Sequence, residues 1–228
     1  YQDAAWFARE MATVFSRQWV MVGRVADFTP GQMQRVQVGA APVIVARTVD
    51  GAVTAFHNSC PHRGAELCRA EREPLGKLIR CPYHAFAFAA SDGALVATGH
   101  AVPTDDFDRS AHGLKRVACR EWNGFLFLNL NATPGDLYAD VGLRTLDNWP
   151  MSTLVTGHRW ETEIACNWKT FWENYSECLH CPGIHPELCD MVPIYGKGIM
   201  SRSEASHDRQ LEDLPATRLK EGATSWTA

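Results

Sequence analysis

The 228-residue chain has no apolar run near the ~20 residues that span a bilayer. Runs such as Phe125 to Leu128 are far short of that length. No charged start followed by an apolar stretch marks a signal peptide, so a cytoplasmic protein with no membrane contact is expected. Positive charge is not in excess: 22 Lys and Arg against 26 Asp and Glu give a net charge of −4. A broadly basic nucleic-acid binder is thereby disfavoured. No Gly-rich dinucleotide fingerprint follows a strand, so the chain itself is not expected to bind NAD or flavin. Charged residues make up only 21% and hydrophobic ones 46%, which argues against disorder. Residue 1 is Tyr rather than Met, so the true N-terminus is expected upstream.

What is abundant is cysteine, histidine and tryptophan, at eight, nine and eight residues. The cysteines are Cys60, Cys68, Cys81, Cys119, Cys166, Cys178, Cys181 and Cys189. Without a secretory signal, metal binding or buried thiols explain them better than a disulfide framework. Cysteine and histidine concentrate in two windows, 57–84 and 178–189.

The length fits one large or two small domains. Ala5, Trp6, Ala8, Met11, Val14, Phe15 and Trp19 recur at three- and four-residue steps, which predicts an amphipathic helix over 3–20 with Asp3 as N-cap. From Gln32 the period changes. Val43–Ala46 and Val53–Phe56 flank Asp50-Gly51, a hairpin signal. Further strands are expected at 78–80, 85–88, 114–120 and 125–130, the last two flanking Asn123-Gly124. Residues 131–136 form a breaker cluster. A helix is expected from about Asn167 to Cys181, stopped by Pro182-Gly183, and residues 201–225 read as loop. There are no internal repeats.

Cys60-Pro61-His62 and Cys81-Pro82-Tyr83-His84 each place one cysteine and one histidine on a short loop beside an expected strand. Two such prongs can close on one centre. Zinc fingers usually pair Cys with Cys and His with His along the chain, whereas here each prong is mixed. That suits a [2Fe–2S] cluster in which one iron takes both thiolates and the other both imidazoles. With two thiolates the oxidised core is neutral, whereas four leave it doubly negative, so the mixed cluster accepts an electron more readily. Gly64 would let the first loop turn tightly. A structural zinc site and four incidental residues are the alternatives.

The stretch Phe56-His57-Asn58-Ser59-Cys60-Pro61-His62-Arg63-Gly64-Ala65, with Cys81-Pro82-Tyr83-His84, resembles the Rieske iron–sulfur domain. The resemblance implies a [2Fe–2S] cluster on Cys60, His62, Cys81 and His84. Respiratory-chain Rieske proteins carry a further cysteine in each loop. Tyr83 stands in that place here, so the low-potential oxygenase type is the better match. Many such oxygenases have Gly-Trp after the last ligand, and this chain has Ala85-Phe86. A packing change is expected there. Cys68 is expected to be a plain thiol.

In the second window, Glu177 and His180 are three residues apart and would share one helix face. His180 and His185 are five apart, so about 140° would separate them on an unbroken helix. Pro182 and Gly183 lie between and can turn the chain so that the rings meet. Two histidines and a carboxylate form the facial triad of non-haem Fe(II) oxygenases. Two core histidines at a helix end are the equally simple reading.

Asn174-x2-Glu177-x2-His180-x4-His185, downstream of a Rieske motif, resembles the large (α) subunit of Rieske non-haem iron oxygenases. The likeness runs from the Trp-rich N-terminal helix to Trp226. It implies an α+β fold: an antiparallel β Rieske domain at 32–131, a linker at 132–153, and a truncated helix-grip catalytic domain at 154–228. Residues 1–31 would be a helical segment packing on the catalytic domain. It also implies mononuclear Fe(II) on His180 and His185, Glu177 as the bridge to a neighbouring subunit's cluster, and Asn174 near the iron. The implied partners are an NAD(P)H-dependent reductase, with or without a ferredoxin, O₂, a small-molecule substrate and two further copies in a homotrimer. Glu at the bridge resembles the branch acting on quaternary ammonium compounds, and Leu179 stands where that branch often has Tyr. Aromatic-ring dioxygenation is the alternative. A Rieske electron carrier without catalysis and a zinc-stabilised binding module are the readings from other classes.

The family's third iron ligand is a downstream carboxylate, expected beyond residue 228. None of Asp190, Glu204, Asp208, Glu212 and Asp213 matches it. His57, His100, His112, His158 and His207 read as packing or surface residues. Trp160, Trp168 and Trp172 read as core. Cys178, Cys181 and Cys189 admit a Cys/His zinc site.

Overall fold

A computed structural model describes residues 1–131, 133–141, 150–193 and 195–197. The expected loop at 201–225, with Glu204, His207, Asp208, Glu212 and Asp213, lies outside the described residues. Two compact units emerge: 4–160, and 1–3 together with the chain from Glu161 onward.

The first unit opens with α1 (Ala4–Arg17) and β1 (Val20–Arg24). β2 (Gln32–Val38), β3 (Ala41–Arg47), β4 (Val53–His57) and β5 (Arg72–Pro74) follow, then β6 (Leu78–Arg80), β7 (Phe86–Ala89) and β8 (Leu95–Thr98). β9 (Ala118–Trp122), β10 (Phe125–Asn129) and α2 (Leu137–Val141) complete it. Among the described residues the strands form antiparallel sheets in the orders β1-β10-β9, β4-β3-β2-β5 and β6-β7-β8.

β3 explains the core. Val43, Ile44, Val45 and Ala46 are all buried, as a strand covered on both faces requires. Ile44 and Ala46 join Met33, Phe56, Leu67, Ile79, Phe88 and Leu95, a cluster that also contains Cys60 and Cys81. Val43 and Val45 face the opposite way, with Phe28, Val38, Leu126 and Leu128. Burying Phe56 or Ile44 is worth roughly 1.5–3 kcal/mol each. Both expected hairpins form. Asn123 and Gly124 take φ of 47° and 84° between the paired residues Trp122 and Phe125. Gly51, at φ 91°, closes the loop from β3 to β4.

Three strands escaped the sequence reading. β1, inside the segment 1–31, pairs with β10. β5 and β8 are three and four residues long, too short for alternation to register. β9 starts at Ala118 rather than 114, because Arg116 bridges to Phe56 of β4 instead. α1 keeps company with the β unit: Phe15 lies against Gly39, where a Cβ would come within 2.7 Å of it, and Asn129 Nδ2 donates to Arg17 O at 3.0 Å.

In the second unit, α3 (Trp168–Ser176) is capped by Asn167, whose side chain accepts from Lys169 N at 3.0 Å. α4 (Cys181–Ile184) and α5 (Pro186–Met191) follow. The expected helix to Cys181 is therefore corrected. It ends at Ser176, and Glu177 is extended at φ −121°, ψ 157°. Pro182 starts α4 rather than ending α3, a position where its missing N–H costs nothing. Trp160 and Trp172, read as core, are exposed at 75% and 54%.

Candidate metal centres

The two prongs of the first window share one backbone design. Cys60 N donates to Ala65 O at 2.8 Å, and Gly64 N returns to Cys60 O at 2.8 Å. In the second, Cys81 N donates to Phe86 O at 2.7 Å and Ala85 N to Cys81 O at 3.1 Å. The residue four after each cysteine is left-handed: Gly64 at φ 70°, Ala85 at φ 58°. Glycine takes that conformation freely, whereas alanine is strained by its Cβ. Ala85→Gly is therefore expected to raise stability by about 1 kcal/mol. Urea unfolding would check it, as a higher midpoint at constant slope.

Asn58, buried at the end of β4, braces the first prong. Its Oδ1 accepts from Leu67 N and Cys68 N, both at 2.9 Å, and its Nδ2 donates to Cys68 O at 2.8 Å. The second prong is backed by Gly99, at φ 63°, where a Cβ would lie 2.2 Å from His84 O.

The prongs sort their donors. Cys60 and Cys81 are buried side by side in the core, and burial raises the Cys60 thiol pKa above its ordinary value. His62 is exposed and His84 half-buried, with ring centroids 4.8 Å apart at 65°. Desolvation first, then the charges of His84 and Arg63, hold the His62 pKa below the usual imidazole range. The imidazoles border an open depression of about 300 Å³ with Tyr83, His100 and Ala101 on its rim. His84 Nδ1 is buried with no hydrogen-bond partner, an arrangement that calls for a ligand. Among the described residues no three Cys, His, Asp or Glu side chains converge on a single ion. A two-iron cluster asks for something else: a thiolate pair beside an imidazole pair. The donor set fits it. Cys68 stays outside, fully buried, its pKa pushed up to about 11 by burial, with Sγ 3.4 Å from Ala70 O.

In the second window, His180 and His185 flank α4 and their rings meet edge to face, 5.4 Å apart. The single turn Cys181–Ile184, with His185 at φ −126°, ψ 57°, brings them together. Glu177 reaches His180 although the two share no helix. Its Oε1 lies 2.6 Å from His180 Nδ1, and its Oε2 accepts from Leu179 N. The bond to His180 is the main reason its carboxyl pKa is lowered. A carboxylate on Nδ1 fixes the tautomer that leaves Nε2 free to ligate. This fits two arms of a mononuclear iron site. Asn174 lies on the exposed part of α3, and among the described residues it has no hydrogen bond to either histidine. Asp190 is exposed on α5. Cys178 and Cys181 are buried beside each other, and burial pushes Cys178 up to about 11. Sequence reasoning missed Asn58, Gly99 and the aromatic faces against His62 and His84, since all depend on contacts the local sequence does not announce.

Residues 18–108 match the Rieske [2Fe-2S] domain, and residues 151–225 match the ring hydroxylating alpha subunit (catalytic domain). The chain belongs to the Rieske non-haem iron oxygenases, as a large (α) subunit. These two domains imply a Rieske cluster and a mononuclear non-haem iron. The chain is 38% identical over 200 residues to the glycine betaine monooxygenase oxygenase subunit of Chromohalobacter salexigens, covering 86% of this chain and 44% of that one. It is 34% identical to the carnitine monooxygenase oxygenase subunit of Escherichia coli K12, covering 85% and 53%. A solved quaternary ammonium Rieske monooxygenase, described with carnitine oxidation and inter-subunit electron transfer, superposes with a TM-score of 0.75 at 27% identity, covering 83% and 53%. The chain spans about half the length of the curated relatives it matches. Among the described residues no helix is long and apolar enough to cross a membrane.

Proposed function

We propose that this chain is part of the oxygenase component of a multicomponent system that hydroxylates a quaternary ammonium compound. The observation that carries the reading is the pair of separate donor sets. Cys60, His62, Cys81 and His84 would hold the [2Fe–2S] cluster, and His180 and His185 the mononuclear iron. When bound, the cluster supplies single electrons and the iron supplies reductive activation of O₂. The buried thiols anchor the cluster in the core, while the imidazole edges face outward to meet a partner. Glu177 orients His180 and would also meet a neighbouring subunit's cluster, in the homotrimer that membership of the family implies. Electrons would come from an NAD(P)H-dependent reductase, with or without a ferredoxin. The domain division at 32–131 and 154–228, Asn174 as an iron-side residue and a cytoplasmic setting belong to the same reading.

Substrate class rests on the relatives' names and on charge chemistry. A permanent ammonium offers no N–H, so recognition falls to aromatic faces. Phe171, Trp172 and Tyr175 on α3 form a mutually contacting exposed group, with centroids 5.7–6.1 Å apart, in the same unit as His180 and His185. Hydroxylating a carbon bonded to the ammonium nitrogen leaves a product that collapses to an aldehyde and a tertiary amine.

The test supplies the holoenzyme with reductase and O₂, then glycine betaine, carnitine, stachydrine and a set of aromatic acids. Aldehyde and amine released in step with NAD(P)H consumption from one of the ammonium compounds is expected. Coupled formation of a ring diol from an aromatic acid, with all three ammonium compounds inert, would overturn the substrate class.

A further inference from the structure

The ligand imidazoles of the first centre each lie against an aromatic ring, and both rings come from the second prong. Phe86 stacks on His62 with centroids 4.5 Å apart and planes 2° from parallel. Tyr83 tilts over His84 at 3.7 Å and 37°. The first of these contacts crosses from one prong to the other, since His62 follows Cys60 and Phe86 follows Cys81.

Phe86 is a rigid reference and His62 is not. Phe86 is 7% exposed, sits in the core with Ile79, Phe88 and Leu95, and pairs with Thr98 across β7 and β8. Its carbonyl accepts from Cys81 N at 2.7 Å, so it moves only with the second prong. His62 is an exposed loop residue. The hydrogen bonds of Cys60 and Gly64 hold its backbone but not its ring. An imidazole has a broad χ2, and a stacked neighbour selects one plane.

We propose that Phe86 is a positioning residue for the [2Fe–2S] cluster: its ring fixes the plane of His62 and ties the first prong to the second. The proposal rests on the reading that Cys60, His62, Cys81 and His84 hold that cluster. It gives the Ala85-Phe86 departure from the more usual Gly-Trp a definite role, because the aromatic face is what the position requires. Two consequences are measurable. The orientation of an imidazole on iron sets the anisotropy of the reduced cluster's spin signal. The apolar ring also keeps water from one side of the centre, and reduction adds a negative charge that a drier site disfavours. Loosening the stack therefore raises the potential.

The experiment compares wild type, Phe86→Leu, Phe86→Trp and Phe88→Leu, all loaded with iron and sulfide, with acid-labile sulfide quantified in each. Phe88 lies two residues along the same strand in the same core, so Phe88→Leu reports loss of packing alone. Phe86→Leu is expected to raise the cluster potential enough to change the reduced-to-oxidised ratio by about threefold or more at a fixed poise, where tenfold corresponds to about 59 mV for one electron. It should also alter the g-anisotropy and one histidine's nitrogen hyperfine coupling, and speed cluster loss to a chelator by about threefold. Phe86→Trp should keep the wild-type values. Phe88→Leu should lower Tm and move none of the cluster signals. If Phe86→Leu lowers Tm as Phe88→Leu does and leaves potential, couplings and release rate unchanged, Phe86 is a core residue only and the proposal falls. A wild-type chain that takes up iron without acid-labile sulfide would overturn the cluster assignment itself, and the proposal with it.

Discussion

In the holoenzyme, Glu177→Gln is expected to cut product formation on the order of 100-fold while iron and sulfide contents stay at wild-type levels. The reason lies in a single bond. Glu177 Oε1 sits 2.6 Å from His180 Nδ1, and the carboxyl pKa is lowered chiefly by that contact. The charged acceptor fixes Nδ1–H and orients the ring, so His180 and His185 can still ligate through their other nitrogens. An amide keeps the shape but loses the charge, and neutral acceptors bind about half as strongly as ionised ones. Metal content, reduction of the cluster by its reductase and product per NAD(P)H separate the possibilities. Reduction should persist while product falls. Wild-type turnover in Glu177→Gln would reduce Glu177 to a local cap on Leu179 N.

Cys81→Ser is expected to lower acid-labile sulfide and the associated iron by more than about tenfold, with loss of the brown colour and of the low-g signal on reduction. Cys81 is 3% exposed, beside Cys60 in the core. A hydroxyl there ionises far less readily than a thiol and is a harder, poorer iron donor. It also leaves a polar group among Ile79, Phe86 and Phe88, at a cost of about 1–3 kcal/mol when unpaired. A serine variant that retained full sulfide and the wild-type signal would exclude Cys81 as a ligand.

The sequence by itself determined the candidate donors. Cys60 with His62, Cys81 with His84, and His180 with His185 are local spacings, and a loop of a few residues delivers them whatever packs behind it. It determined the hairpins too, since Asn123-Gly124 needs only its own positive φ and the alternation around it. The mixed-prong pattern further specified which cluster chemistry fits, because that follows from residue type.

What lay outside the sequence's reach depends on partners far along the chain. Strand β8 is too short to read, yet it holds Phe86 against His62 through Thr98. β1 exists because β10 offers it an edge. The helix after Asn167 carries nothing in its periodicity that ends it at Ser176. It stops there with Glu177 extended and its carboxylate turned back to Leu179 N and His180. The burial of Cys60 and Cys81 in one cluster, with His62 left exposed, depends on the distant apolar strands packed on one face of β3. Spacing selects which residues can meet, and only the packing of distant apolar strands decides which side of them water reaches.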